Sequence, residues 1–237
     1  MRYLLLHGFT GAPASTASLA APPGSVAPTL GGHLSTEVTG GYWHEVERLA
    51  ELGRDCDALF GYSLGGRLAL GILARHPQRF RRAVIVSAHP GLTTDDERRA
   101  RRAADARFVE LLRARGLEAF VDEWQALPLW ASQARLSAEL LRQQREQRLA
   151  HSAEGLAQSL LRHGLGEMPD LRPLLARVMT PVQVLAGEQD PKFCKLAREL
   201  AALLPHAGLH LVPGAGHNLL LEEPRRCREA LLEGASS

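Results

Sequence analysis

Apolar positions fall along this chain in short runs separated by polar, glycine-containing breaks, and the helical and strand periods alternate. Residues 3–6, Tyr-Leu-Leu-Leu, predict a short buried strand that ends at Gly8. Residues 25–28 predict a second strand running into a Gly31-Gly32 loop. Residues 43–52 have helical spacing, with Val46, Leu49 and Leu52 on one face. Residues 57–62 read as a strand, and 64–76 as the helix that follows it. Residues 82–87, Arg-Ala-Val-Ile-Val-Ser, are the clearest strand because β-branched side chains dominate them. Strands alternating with helices imply right-handed crossovers and a mainly parallel sheet flanked by helices.

At about residue 91 the alternation stops. As far as about 166 there is no strand signal, and Ala, Leu, Arg and Glu dominate. Thr94 and Glu97 have the spacing of a capping box, and Pro128 interrupts the helical pattern near its middle. This predicts one domain, 1–237, with a helical cap inserted before the last two strands. Those strands are expected at 181–186 and 209–212, each followed by a helix, at 193–204 and 224–232.

A chain of 237 residues suits one domain with a sizeable core. Its 45% hydrophobic and 23% charged residues exclude disordered and fibrous classes. A net charge of +2 argues against a nucleic-acid partner. No apolar run nears the roughly 20 residues of a membrane span, so no membrane insertion is expected. The apolar start breaks at His7-Gly8, short of the about 7–15 residues of a signal-peptide core. Cys56, Cys194 and Cys227 are odd in number and lack metal-ligand spacing, which reads as free thiols in a reducing, cytoplasmic setting. The oligomeric state is left open. The basic charge is nearly all arginine. That reflects either genome composition or a need to clamp carboxylates, which a planar guanidinium grips with two parallel hydrogen bonds.

The strongest chemical signal is Gly61-Tyr62-Ser63-Leu64-Gly65, a G-x-S-x-G pattern between a strand and a helix. The glycines make room for a sharp turn that exposes the serine, and the helix N-terminus behind it favours negative charge. A serine hydroxyl needs a base to be reactive. His217, in Gly214-Ala215-Gly216-His217 after the last strand, is placed to supply one, and Asp190, in Gly187-Glu188-Gln189-Asp190 after the preceding strand, to orient it. Asp190 could instead be only a helix N-cap before Pro191, with Glu188 as the acid, and His217 only part of a surface turn. Backbone N–H groups of Leu64 and Phe9 are the candidate oxyanion donors; His7 reads as structural. His33 and His89 are each either structural or on the pocket edge.

Arg67 lies one turn into an apolar helix, expected to be buried between sheet and cap, so it needs an anionic partner: a ligand carboxylate or a protein acid. Arg101 sits in an arginine run whose Asp95–Arg99 and Glu97–Arg101 pairs have the spacing of a solvated face. Arg145 and Arg148 carry the same ambiguity, and Trp124 and Trp130 read as either core or ligand contacts.

Together, Leu6-His7-Gly8-Phe9-Thr10-Gly11, Gly61-Tyr62-Ser63-Leu64-Gly65-Gly66-Arg67, His89-Pro90-Gly91-Leu92, Gly187-Glu188-Gln189-Asp190 with Lys192-Phe193, and Gly214-Ala215-Gly216-His217-Asn218 resemble one family closely. It is the 2-succinyl-6-hydroxy-2,4-cyclohexadiene-1-carboxylate synthases of menaquinone biosynthesis, members of the α/β-hydrolase superfamily. The resemblance implies an α/β-hydrolase fold and a lyase that eliminates pyruvate from 2-succinyl-5-enolpyruvyl-6-hydroxy-3-cyclohexene-1-carboxylate. It implies a Ser63, Asp190 and His217 triad whose serine acts as base, with no metal or cofactor. It further implies that Tyr62, Arg67, Arg101, Trp124 and Arg148 bind a small polycarboxylate. The chain departs from the family in starting at the oxyanion strand, without the usual leading hairpin. It also has Leu30-Gly31-Gly32-His33-Leu34-Ser35 in place of a Pro-Gly-His-Gly loop, and a short segment from there to Ser63. The elbow and triad by themselves also fit a serine hydrolase acting on an ester, a thioester or a carbon–carbon bond, or a non-enzymatic binding protein that has kept the fold.

Overall fold

The computed structural model describes residues 1–232. Five strands, β1 (Tyr3–Leu6), β2 (Ala58–Tyr62), β3 (Arg82–Val86), β4 (Val182–Gly187) and β5 (Ala207–Val212), form one sheet in sequential order. Every pair is parallel, and the register sets Leu6 beside Gly61, Tyr62 beside Val86 and Val86 beside Leu185. The strands therefore finish along one edge, and the loops carrying Ser63, Asp190 and His217 leave from it.

Alternate strand residues feed two cores, as a sheet covered on both faces requires. Leu4, Leu59, Ile85 and Val184 pack with α1 (Tyr42–Leu52), α2 (Leu64–Arg75), and the buried side of α7 (Pro191–Leu203). Leu5, Phe60, Val84 and Leu185 face the other way, toward α8 (Leu219–Glu222) and α9 (Pro224–Leu232). The helix after the elbow is buried mainly by α1, with residues 165–175 of the insertion covering part of it. A Cβ at Gly71 would lie 2.6 Å from the Tyr42 hydroxyl and 2.7 Å from Val46 Cγ2, so only glycine lets the two helices approach this closely.

Residues 25–28 do not form a strand. Val26 alone bridges to Leu4, donating its N–H to Tyr3 O (2.7 Å) and accepting that of Leu5 (2.9 Å). Pro22, Pro23 and Pro28 flank it and have no N–H to extend a ladder. A 3₁₀ segment at Pro13–Leu19, which the pattern did not announce, packs beside β1.

Between β3 and β4 the chain is helical: α3 (Asp95–Gln125), a 3₁₀ segment (Pro128–Arg135), α4 (Ala138–Leu149), α5 (Ala153–His163) and α6 (Arg172–Leu175). Gly116 breaks α3 at φ 79°, a left-handed conformation natural only to glycine. The capping box forms: Thr94 Oγ1 accepts the Glu97 N–H, and Glu97 Oε2 accepts those of Thr93 and Thr94. Glu97 is thereby withdrawn from Arg101. The expected i,i+4 pairs are replaced by Asp95–Arg98, Asp96–Arg99 and Arg101–Asp105. A third core of Val109, Leu112, Phe120, Val121, Leu156 and Leu160 joins α3 to α5, and Phe9 of the β1 loop packs against it. Among the described residues, no helix is long and apolar enough to cross a membrane.

Candidate active site

Ser63 stands between β2 and α2 at φ 52° and ψ −109°, a left-handed conformation costly for any residue with a Cβ. The surrounding glycines make it attainable. A Cβ at Gly65 would lie 2.3 Å from Leu6 O, and one at Gly61 2.5 Å from Gly65 O. The elbow is therefore pressed against β1, and Gly8 lies directly against Ser63 and Tyr62.

From this turn a hydrogen-bond chain runs inward. Ser63 Oγ is 3.0 Å from His217 Nε2, and His217 Nδ1 is 3.1 Å from Asp190 Oδ2. His217 and Asp190 are both buried. Asp190 is the N-cap of α7 as well, because its Oδ1 accepts the Phe193 N–H at 3.1 Å. The two readings of Asp190 thus hold together, one oxygen for each. Glu188 is exposed. The rings of Phe193, Tyr62 and Trp130 enclose the imidazole, with centroids 4.4, 5.6 and 5.6 Å away. A carboxylate on Nδ1 and a hydroxyl on Nε2 suit the imidazole to take the serine proton.

Phe9 and Leu64 both line the cavity in front of Ser63, and among the described residues the backbone N–H of neither has a hydrogen-bond partner. Their loop is held from behind. His7 Nδ1 donates to Gly8 O, and its Nε2 accepts the Leu30 N–H. His33 Nε2 accepts the Thr10 N–H at 3.2 Å. Burial pushes the His7 imidazole down to about 4 and that of His33 well below its ordinary value, so both stay neutral and keep these acceptor roles. His33 is therefore structural and does not reach the pocket. His89 does, with its Nδ1 accepting the Gly91 N–H and burial lowering it to about 4.

The cavity, of about 160 Å³, is bounded by the sheet edge below and the cap above. Tyr62, Arg67, Arg101 and Trp124 line it. Arg67 has no carboxylate partner among the described residues; its Nη1 donates to His163 O at 2.9 Å. Burial, then the nearby Arg101 charge, lowers its guanidinium to about 10. Arg101 Nε pairs with Asp105 at 2.9 Å, which leaves its terminal nitrogens free to turn toward the cavity. Arg148 does not line this space. It is buried in the wall of a small adjoining cavity with Phe9, Tyr62 and Trp130, its guanidinium 5.1 Å from the Trp130 ring centroid. It has no ion pair among the described residues, and burial lowers it to about 10. Arg145, its rival in sequence, pairs with Asp122 at 2.6 Å.

Among the cavity residues that carried no signal strong enough to single them out are Ser87, Ser159 and His163. Ser87, at φ 48°, follows β3 directly and could have been placed by its position after a strand end. Ser159 and His163 are one turn apart on α5, an ordinary buried face until the cap is folded over the sheet. No group of three or more His, Cys, Asp or Glu able to hold a metal ion occurs among the described residues.

A serine on a strained elbow, a buried histidine and aspartate at the ends of successive parallel strands, and free amides opposite are the marks of one fold family. The sequence profile of the alpha/beta hydrolase fold matches residues 42–224, and the chain belongs to that family. More particular likenesses sharpen this. The 2-succinyl-6-hydroxy-2,4-cyclohexadiene-1-carboxylate synthase of Enterobacter sp. (strain 638) is 34% identical over 166 residues, 70% of this chain and 61% of that protein. A Bacillus subtilis (strain 168) protein provisionally given the same name is 40% identical over 167 residues, 70% of this chain and 61% of its own. The chain thus spans about three fifths of the length of the curated relatives it matches. The solved structure of MenH from S. aureus superposes with a TM-score of 0.88 at 29% identity, covering 98% of this chain and 92% of that one. A thermophilic esterase from Thermogutta terrifontis shares the fold, with a TM-score of 0.81 at 23% identity, covering 98% and 88%.

Proposed function

We propose that this protein is a carbon–oxygen lyase of menaquinone biosynthesis that eliminates pyruvate from 2-succinyl-5-enolpyruvyl-6-hydroxy-3-cyclohexene-1-carboxylate. The observation that carries the reading is Arg67: a guanidinium without a carboxylate partner, facing the same cavity as Ser63. A hydrolase of neutral esters has no use for such a group, whereas a substrate with three carboxylates does.

In this reading His217 takes the Ser63 proton while Asp190 stabilises the imidazolium. Ser63 Oγ then removes the ring proton alpha to the succinyl ketone. The electron pair of that C–H bond moves toward the ketone, and the N–H groups of Phe9 and Leu64 hold the developing enolate oxygen. Its return forms a ring double bond at C2–C3, shifts the existing double bond from C3–C4 to C4–C5 and breaks the C5–O bond to the enolpyruvyl group; the proton taken up by the Ser63–His217 pair passes to the methylene carbon of the departing enolpyruvate, giving pyruvate. Arg67 and Arg101 hold carboxylates of the bound substrate, Arg148 receives one from the adjoining cavity, and Tyr62 and Trp124 shape the walls. Three buried free cysteines fit a reducing cytoplasm.

The test is pyruvate release from the enolpyruvyl substrate, read with a coupled dehydrogenase. Release by wild type and its loss in Ser63→Ala are expected. A folded wild-type protein that releases no pyruvate, yet is labelled at Ser63 by a fluorophosphonate and turns over aryl esters, would make it a serine hydrolase.

A further inference from the structure

Glu222 has no part in the chemistry above, yet its side chain is fully buried on the last turn of α8. Its two oxygens have unusual partners. Oε2 accepts the Gly216 N–H at 2.8 Å, and Oε1 accepts the Asn218 N–H at 3.2 Å. These are the residues immediately before and after His217. We infer that Glu222 is a positioning residue: its carboxylate clamps the backbone on both sides of His217 and so fixes the imidazole against Ser63.

The physical case is that a glycine-rich loop cannot hold an imidazole in place by itself. With both neighbouring amides bound to one buried carboxylate, the backbone that carries His217 cannot shift without breaking a charge-assisted bond. The cap closes the other side. A Cβ at Gly216 would lie 2.0 Å from Ser132 Oγ, and Arg135 Nη2 reaches Glu222 at 3.6 Å and Glu223 at 3.7 Å. The 3₁₀ segment of the cap thereby sets the loop that carries the base. The inference rests on His217 being the proton acceptor of the proposed function.

The titratable and charged groups about His217 are Ser63 and Tyr62 at the end of β2, Asp190 before α7 and Lys192 at its start. Glu222 and, through it, Arg135 complete the set. Glu222→Gln keeps the shape but removes one negative charge and one acceptor. Its kcat is expected to fall about 10–100-fold with KM within about twofold of wild type. The low-field Nδ1–H proton resonance of His217, assigned by its absence in His217→Gln, should broaden or vanish. That resonance is read without substrate, so the inference is tested even if the chain acts on a different molecule. A folded Glu222→Gln variant with wild-type kcat and an unchanged resonance overturns it. Amide exchange in wild-type protein gives a test with no variant: Gly216 and Asn218 should both be protected, and rapid exchange of both also overturns the clamp.

Discussion

The two walls of the cavity are built on opposite principles. On the sheet side one chain of polar groups is matched from end to end: Ser63 to His217, His217 to Asp190, and Asp190 to both His217 and the Phe193 amide. On the cap side the groups are left over. Among the described residues Arg148 has an aromatic face and no ion pair, and the indole N–H groups of Trp124 and Trp130 are buried without a partner; from α2, Arg67 reaches across to a backbone carbonyl of the cap and meets no carboxylate. A buried charge or donor without a partner is costly in a free protein. A wall made of them is arranged for something that binds, while the matched wall is arranged for something that reacts.

Removing the matched side should have the largest effect. Ser63→Ala or His217→Ala is expected to lower turnover by at least about 10³-fold with little change in urea midpoint. A residual rate near wild type would mean that the matched chain is scaffold. Next comes Arg67→Ala, with an expected loss of about 100-fold in kcat/KM carried mainly by KM, and a melting temperature unchanged or raised. A lower melting temperature with unchanged KM would move Arg67 to the structural side of the comparison.

The third effect is on stability. His7 titrates at about 4 in the folded chain against 6.5 in the unfolded one. The unfolded state therefore takes up the proton first as pH falls. Stability from this group is complete above pH 6.5 and is lost down to about 4, by about 3 kcal/mol over the window. His89 acts in the same direction. Urea unfolding at pH 7 and at pH 4.5 measures it; equal midpoints would show that burial does not hold these rings neutral. Smallest of all, Arg99→Ala breaks only the exposed pair with Asp96 and should change neither KM nor melting temperature.

The matched wall was the more legible of the two in the sequence. Strand periodicity placed β1 to β5, and a parallel order brings strand ends together, so Ser63, Asp190 and His217 could be joined across 154 residues. The reading failed where one local signal had competing uses. A β-branched Val26 among prolines looked like a strand but had no donors to continue one. Glu97 had the right spacing for Arg101 and the right spacing for a cap, and the cap won. Periodicity shows that α5 has a buried face but not which cavity that face meets, so neither Ser159 nor His163 could be assigned to the site. Glu222 was invisible for a related reason: a carboxylate that binds backbone amides six and four residues before it leaves no pattern in side-chain types.

Asp190 has a consequence for descent within the fold family. Its two oxygens serve separate ends, one starting α7 and the other holding His217. A descendant that lost its chemistry and survived only as a binding protein would still need the first of these. It would shed Ser63 and His217 freely while its aspartate persisted, or drifted to asparagine, which caps a helix as well. In relatives of this chain the acid is thus a poor witness of activity. An asparagine at position 190 beside an intact serine and histidine would mark an enzyme recently silenced.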